Sequence, residues 1–211
     1  MQLTATQTIR QRRTLKPALM DADRAVPAEL LDQILDAANW APTHGKTQPW
    51  RFYIFEGDAR PALAARLQEI YKEEVSAENF REDKFAKLAT NPLLAPCLIA
   101  VGVEPVTCGK IPLVEEIEAV ACAVQNLMLA ATEAGLGSFW SSPPISYGPG
   151  MKAILGLQSE EAQGLGMIYL GYLRDGEVAP ESSREPITER TFRMNSDLTP
   201  LPYHYGGTPD A

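Results

Sequence analysis

Between Glu118 and Glu133 the chain runs for fourteen residues without a formal charge: Ala-Val-Ala-Cys-Ala-Val-Gln-Asn-Leu-Met-Leu-Ala-Ala-Thr. Set in a helix that starts near Pro112, this segment is apolar nearly all round the cylinder. A helix of that kind must be buried on more than one side. It is also too short for a bilayer, which takes roughly 20 apolar residues to cross. In a chain of 211 residues, one side can face the chain's own sheet and the other a second copy of itself. The pattern therefore predicts an obligate homodimer.

The rest of the chain supplies the partners for such a core. Hydrophobic residues make up 45% of it, enough for one globular domain over residues 1–211. Leu30, Leu31, Ile34, Leu35 and Ala38 form one apolar face of a helix with Pro27 in its first turn. A strand follows over Phe52 to Phe55, then a helix over 59–75. Cys97 to Val103 is a continuous apolar run of strand length, suggesting a strand covered on both faces. Gly135-Leu136-Gly137 begins like a dinucleotide fingerprint but lacks the third glycine, and it follows a helix and precedes a strand. Gly135 reads more simply as a helix C-cap. From about residue 180 the chain becomes polar and proline-containing, an extended arm that predicts wrapping around a partner subunit.

Charge and cysteine usage exclude several classes. The formal charge of −8 and pI near 4.9 argue against nucleic acid, whose phosphate backbone calls for a basic face. No apolar run spans a membrane and the opening residues carry no signal peptide, so the expected location is cytoplasmic. Cys97, Cys108 and Cys122 have no Cys-x-x-Cys spacing, and Cys97 and Cys122 read as buried thiols. No metal site and no nucleophilic triad is identifiable. The stretch 72–87 is highly charged, with Phe80 and Phe85 as its large apolar residues. It reads either as a solvated helix pair or as a mobile lid whose aromatics cover a ligand.

Two segments stand apart chemically. Ala41-Pro42-Thr43-His44-Gly45-Lys46-Thr47-Gln48-Pro49-Trp50 is a proline-bracketed connector. It crowds donors and acceptors into five residues, which suits a polar, planar ligand or simply a polar link into the sheet. Arg10-Gln11-Arg12-Arg13-Thr14-Leu15-Lys16 ends a helix begun near Thr4, with Pro17 stopping it around Thr14. Arginines there favour the helix dipole by about 0.3–1 kcal/mol. They also make a phosphate clamp, because guanidinium pairs phosphate oxygens in bidentate fashion.

Together these segments resemble the FMN-dependent nitroreductase family, which opens on an Arg-Arg-Ser/Thr motif and carries a loop ending in Gln-Pro-Trp. The resemblance continues through the central helix 118–137, Ser138-Phe139-Trp140-Ser141-Ser142, Gly166 to Leu173 and Ser183-Arg184-Glu185-Pro186. It implies an α+β, nitroreductase-like fold: a central mixed, mostly antiparallel sheet flanked by helices, a long buried helix at a dimer interface, and a C-terminal arm on the partner. It also implies FMN. Arg12, Arg13 and Thr14 would hold its phosphate and ribityl chain, with Arg184 closing on the phosphate. His44 and Gln48 would reach the flavin from the partner chain, and Trp140, Ser141 and Ser142 would border the ring. Lys46 replaces a frequent Asn and would lie against the N1–C2=O edge or turn outward; Ser141 replaces a frequent Arg.

The activity implied is NAD(P)H-dependent reduction of a nitroaromatic, quinone or similar small acceptor, with no indispensable catalytic side chain. Lacking a second nucleotide domain, reductant and acceptor would share one face of the flavin in a ping-pong cycle. The alternatives are an FMN-binding protein without NAD(P)H turnover, or other flavin chemistry such as flavin breakdown or reductive dehalogenation.

Overall fold

Alternation along four strands divides the core in two. The structure, a computed structural model, describes residues 4–106 and 110–204; Cys108 lies outside them. The strands are β1 (Trp50–Glu56), β2 (Cys97–Val103), β3 (Gly137–Ser141) and β4 (Gln163–Gly171), in spatial order β1-β2-β4-β3. All three strand pairs are antiparallel. The parallel component is confined to a bridge between Thr14 and Ser138. The helices among the described residues are α1 (Ala5–Gln11), α2 (Ala28–Asn39), α3 (Ala59–Glu74), α4 (Glu82–Thr90), α5 (Leu113–Glu133) and α6 (Pro149–Ile154). The result is an α+β sheet flanked by helices, as expected.

Strand β2 is buried at every position. Its Cys97, Ile99, Val101 and Val103 face α2 and α5, while Leu98 and Ala100 face the side covered by α3 and α6. Strand β4 keeps this alternation only by breaking it once. Opposite Val101 and Gly102 stand Gly166 and Gly164, so Leu165 is an extra residue and the register shifts there. Gly166 sits at φ +115°, and a Cβ there would lie 2.5 Å from the Ser141 carbonyl oxygen and 2.8 Å from Trp140 Nε1. Glycine is thus needed for both the conformation and the space. The bulge leaves the Leu165 carbonyl to accept from Trp140 Nε1 at 3.0 Å.

The uncharged segment forms most of α5. Val120, Ala123, Val124, Leu127 and Ala131 pack against the sheet beside Leu31, Ile34 and Ala38 of α2. The helix ends as its sequence indicates: Gly135 adopts φ +78°, and the Leu136 N–H donates to the Ala131 carbonyl at 2.8 Å, a Schellman closure. The other side of α5 is open within the chain. Val114 is 58% exposed, Glu118 and Cys122 are exposed, and Ala121, Gln125 and Leu129 are half-buried. Cys122 is therefore not the buried thiol expected, because it points away from the sheet that the helix packs on.

One further expectation is corrected. Helix α1 stops at Gln11 rather than near Thr14, since Arg12 already adopts φ −55°, ψ 128°. The chain leaves the helix so that the Leu15 N–H can donate to the Ser138 carbonyl at 2.9 Å; this strand-like pairing outweighs local helix propensity. The connector before β1 closes one tight turn, the Thr47 N–H donating to the His44 carbonyl at 3.3 Å, with Gly45 at φ +59°, ψ 14°, outside the right-handed helical region.

Residues from Glu181 form a second unit. Taken by itself it holds a 3-10 turn, Ile187–Arg190, and a hairpin of β5 (Phe192–Met194) with β6 (Pro200–Pro202). Its Ile187, Phe192, Met194 and Leu198 are exposed.

The two described thiols should differ sharply in reactivity. Burial, aided by Glu56, pushes the Cys97 thiol up to about 12, so almost no thiolate exists there at pH 8. In a Cys108→Ser/Cys122→Ser variant, Cys97 should stay silent towards an aromatic disulfide reagent until the protein is unfolded. Prompt reaction in native buffer would contradict the burial of β2.

Candidate functional site

The Arg-Arg-Thr segment is held against the start of β3. Thr14 bridges Ser138, which places Thr14 roughly three residues, or about 10 Å, from Ser141 along the strand. Arg13 and Arg12 divide their roles. The Arg13 Nη1 donates to the Arg10 carbonyl at 2.5 Å and the Arg12 carbonyl at 3.0 Å, so it caps the C-terminal end of α1. No ion pair involves Arg10, Arg12 or Arg13 among the described residues. In a chain of net charge −8, unpaired guanidinium groups gathered at one chain turn are donors open to an anion.

Strand β3 sends its two candidate side chains to opposite faces. Trp140 packs with the α5 side of the core and spends its indole N–H on Leu165. Ser141 lines a cavity of about 730 Å³ on the other face. Its floor comes from Met167 and Tyr169 of β4 and from Pro143, Pro144 and Ile145 just beyond β3. Burial pushes the Tyr169 phenol up to about 12, so it remains protonated. The wall opposite is the charged stretch after α3, including Arg81, Lys84 and Lys87. Phe80 and Phe85 do not reach over the cavity as free lid aromatics. They pack on Tyr71 of α3 and on each other, with ring centroids 5.0 to 6.2 Å apart.

The connector 43–48 is built differently and elsewhere. Gly45, Lys46 and Gln48 adopt φ +59°, +58° and +49°, the last two uncommon for residues with a Cβ and of order 1–3 kcal/mol unfavourable each. Two acids from the first turn of α5 over-determine this shape. Thr47 Oγ1 donates to Glu116 Oε2 at 2.7 Å and lies 2.8 Å from Thr43 Oγ1. His44 Nδ1 lies 2.6 Å from Glu115 Oε2. Glu116 is only 1% exposed, and its second oxygen accepts from the Val106 N–H at 3.4 Å. Sequence reasoning missed both acids, because a Glu-Glu pair in a first helical turn is already explained by the helix dipole. Lys46 has no acidic partner among the described residues.

The structure therefore holds Arg12, Arg13 and Thr14 at the start of β3, sets Ser141 and Ser142 at the far end of that strand, and gathers His44, Lys46, Thr47 and Gln48 on a separate loop. The Arg12-to-Thr14 turn lies beyond the C-terminal end of α5, where β3 begins; the connector grips the first turn of the same helix. Twenty-one residues of helix separate these ends by about 30 Å. Ser141 belongs to neither end: it sits on the edge strand opposite β1, level in register with Tyr53, because β3 runs back from the end of α5. Arg184 belongs to the second unit, where its Nη1 donates to Ser182 Oγ and the Ser183 carbonyl.

Comparison with known proteins points one way. The model of the nitroreductase family matches residues 9–172. Over 151 residues the chain is 32% identical to an Escherichia coli (strain K12) protein named "Putative NAD(P)H nitroreductase YdjA", spanning 71% of this chain and 79% of that one. The structure of a nitroreductase-like family protein from Bacillus cereus is 27% identical with a TM-score of 0.73, covering 90% of this chain and 96% of that one. Oxidized iodotyrosine deiodinase bound to FMN and 3-iodo-L-tyrosine is 25% identical with a TM-score of 0.63, covering 90% of this chain and all of its own (100%).

Replacing Thr47 by Val should strand a buried carboxylate oxygen, which costs about 1–3 kcal/mol when a hydrogen-bond partner is lost. Denaturant unfolding should show a loss in that range, and amide exchange should quicken across residues 43–48. A variant as stable and as protected as the parent would mean that Glu116 does not hold the connector.

Proposed function

Because the chain belongs to the nitroreductase family, we propose that it is an FMN-dependent NAD(P)H oxidoreductase whose flavin site is shared between two copies. The observation that carries this reading is the separation of the two candidate regions along α5. The residues that could hold a phosphate, Arg12 to Thr14, lie beyond one end of the helix. The polar connector that the family resemblance assigns to the same flavin lies about 30 Å away. A two-fold arrangement of antiparallel α5 helices removes the conflict, since it sets the first turn of one copy beside the last turn of the other. The open stripe of α5, from Val114 through Cys122 to Leu129, is the face available for that contact.

The residues present fit the group. Arg12 offers a guanidinium free of any carboxylate, suited to charge-assisted bonds with a phosphate, and Thr14 adds a hydroxyl at the same turn. Ser141, in the cavity lining, and Ser142 after it would border the approach to the ring. His44, Lys46 and Gln48 of the second copy would close the other side, and Arg184 would complete the phosphate contacts. Bound there, FMN supplies two-electron transfer between a nicotinamide and an acceptor such as a nitroaromatic or quinone. The chain's own work is to bind, orient and shield. Sharing the cavity beside the candidate ring position, reductant and acceptor would use it in turn, which is a ping-pong order.

The protein should purify yellow and release about one FMN per chain on denaturation, and excess NADPH should bleach it anaerobically. Double-reciprocal plots at several acceptor concentrations should be parallel. Arg12→Ala should weaken FMN binding by roughly tenfold or more, since such a phosphate contact is worth about 1.5–3 kcal/mol. A colourless protein that takes up no FMN would overturn the assignment; intersecting lines would overturn the shared cavity.

Val124, in the middle of the uncharged segment, is fully buried in the chain's own core, so a charge there tests folding. Cys122→Glu is the cleaner probe. It should shift the protein towards monomer in analytical ultracentrifugation and lower flavin occupancy with it. A monomer that retains full FMN would refute the two-copy site.

A further inference from the structure

The cavity beside Ser141 is apolar on one side and cationic on the other, and this asymmetry is not required by the fold. Met167, Tyr169, Pro143 and Pro144 give it a flat hydrophobic floor. Across from them the segment between α3 and α4, together with α4 itself, brings Arg81, Lys84 and Lys87 to the lining. Helix α4 has no buried residue, so these cations are not there to complete a core.

The three cations are not equivalent. Arg81 grips Asp83 through Nε at 2.9 Å and Nη2 at 3.0 Å, and Lys87 lies 3.8 Å from the same carboxylate. Lys84, one turn along, has no acidic partner among the described residues. The acid that does line the cavity, Glu74, is engaged at 2.5 Å by the Gly150 N–H. Its position is fixed, since a Cβ at Gly148 or Gly150 would collide with its carboxylate. Glu74 keeps its negative charge, but three cations line the cavity against it, and Lys84 is the one of the three with no carboxylate in ion-pair range, in a protein whose net charge is −8.

We infer that this cavity takes a planar ligand bearing an anionic group, with the ring on the Met167–Tyr169 floor and the anion against Lys84 and the α4 wall. About 730 Å³ is ample for a substituted benzene ring and lies within the range of small-molecule sites. The inference rests on the oxidoreductase reading for which ligand this is. In that reading two ligands could bring the anion: an aromatic acceptor with a carboxylate, or the reductant with its phosphates.

The test uses FMN-loaded protein, wild type and Lys84→Glu, with Lys84→Gln as a milder variant. KM is measured for 4-nitrobenzoate, for its uncharged methyl ester and for NADPH. The expected result is a rise of roughly fivefold or more in the KM for 4-nitrobenzoate in Lys84→Glu. The Gln variant should be intermediate, and the ester should change less than twofold. If the KM for NADPH rises instead, the anion is the reductant's phosphate and the cavity is still an anion-selective one. Equal KM values for acid and ester in the wild type, together with unchanged values for all three compounds in Lys84→Glu, would overturn the inference. Benzoate binding, followed by isothermal titration without turnover, separates the two levels. A protein that reduces neither nitro compound but binds benzoate through Lys84 keeps the anion site and loses the proposed activity. One that reduces the ester but shows no Lys84-dependent benzoate binding does the reverse.

Discussion

One rigid rod sets the distances in this protein. Helix α5 is twenty-one residues long, and its sheet-facing side is packed so fully that Val120, Ala123, Val124, Leu127 and Ala131 are all solvent-free. Such packing leaves no freedom to bend the two ends together. Whatever is anchored to the first turn and whatever is docked beyond the last turn must remain about 30 Å apart. Two polar stations are fixed in this way: the His44-to-Gln48 connector at the first turn, and the Arg12-to-Thr14 turn beyond the last. The stiffness that makes the core stable is thus also what makes one copy insufficient for a site drawing on both.

The anchoring at each station arises from unmet backbone and side-chain groups. At the first turn of α5, Glu115 and Glu116 serve the helix as N-terminal acids, and their carboxylate oxygens engage His44 and Thr47. The connector gains enough fixed contacts to hold Lys46 and Gln48 at positive φ, a conformation that the local sequence would not choose. At the other end, the Ser138 carbonyl takes the Leu15 N–H and so pulls the chain out of α1 early. That early exit turns Arg12 from a helix-end charge into a group on an extended strand-like segment. Arg13, one residue further on, bends back to cap the helix it has just left.

Much of this was legible in the sequence where one period governs a segment. The all-buried β2 matches the unbroken apolar run Cys97 to Val103, the cap at Gly135 matches a glycine after a helix, and α2 matches its i, i+3, i+4 spacing. What was hidden depends on partners far along the chain. The end of α1 is decided by Ser138, some 120 residues away in sequence. The exposure of Cys122 and the burial of Val124 depend on which face of an almost uniformly apolar helix meets the sheet, and uniformity removes the signal that would orient it. The bulge at Leu165 is visible only once β2 and β4 are paired, since Gly164 and Gly166 read equally well as plain weak points in a strand.

The bulge links the two faces of the sheet in a way that bears on function. Adding one residue to β4 turns the remainder of the strand, so Leu165 and Ile168 share the α5 face while Met167 and Tyr169 are turned to the cavity. The same irregularity exposes the carbonyl that fixes the Trp140 indole, and the missing Cβ of Gly166 lets the end of β3 close down on β4. Trp140 is thereby locked into the core side, and Ser141, its neighbour, is left facing the cavity with its backbone held by the strand pairing. A short polar residue at that point keeps the approach to the cavity floor open, where a long side chain would project into it. The cavity's shape is therefore set by backbone geometry in β3 and β4, and its charge by α4, an element with no buried residue of its own. Shape and charge can vary independently in such an arrangement, because exchanging Lys84 or Lys87 alters the charge of the cavity wall while Phe85 and Leu88 keep α4 packed on the core beside α3.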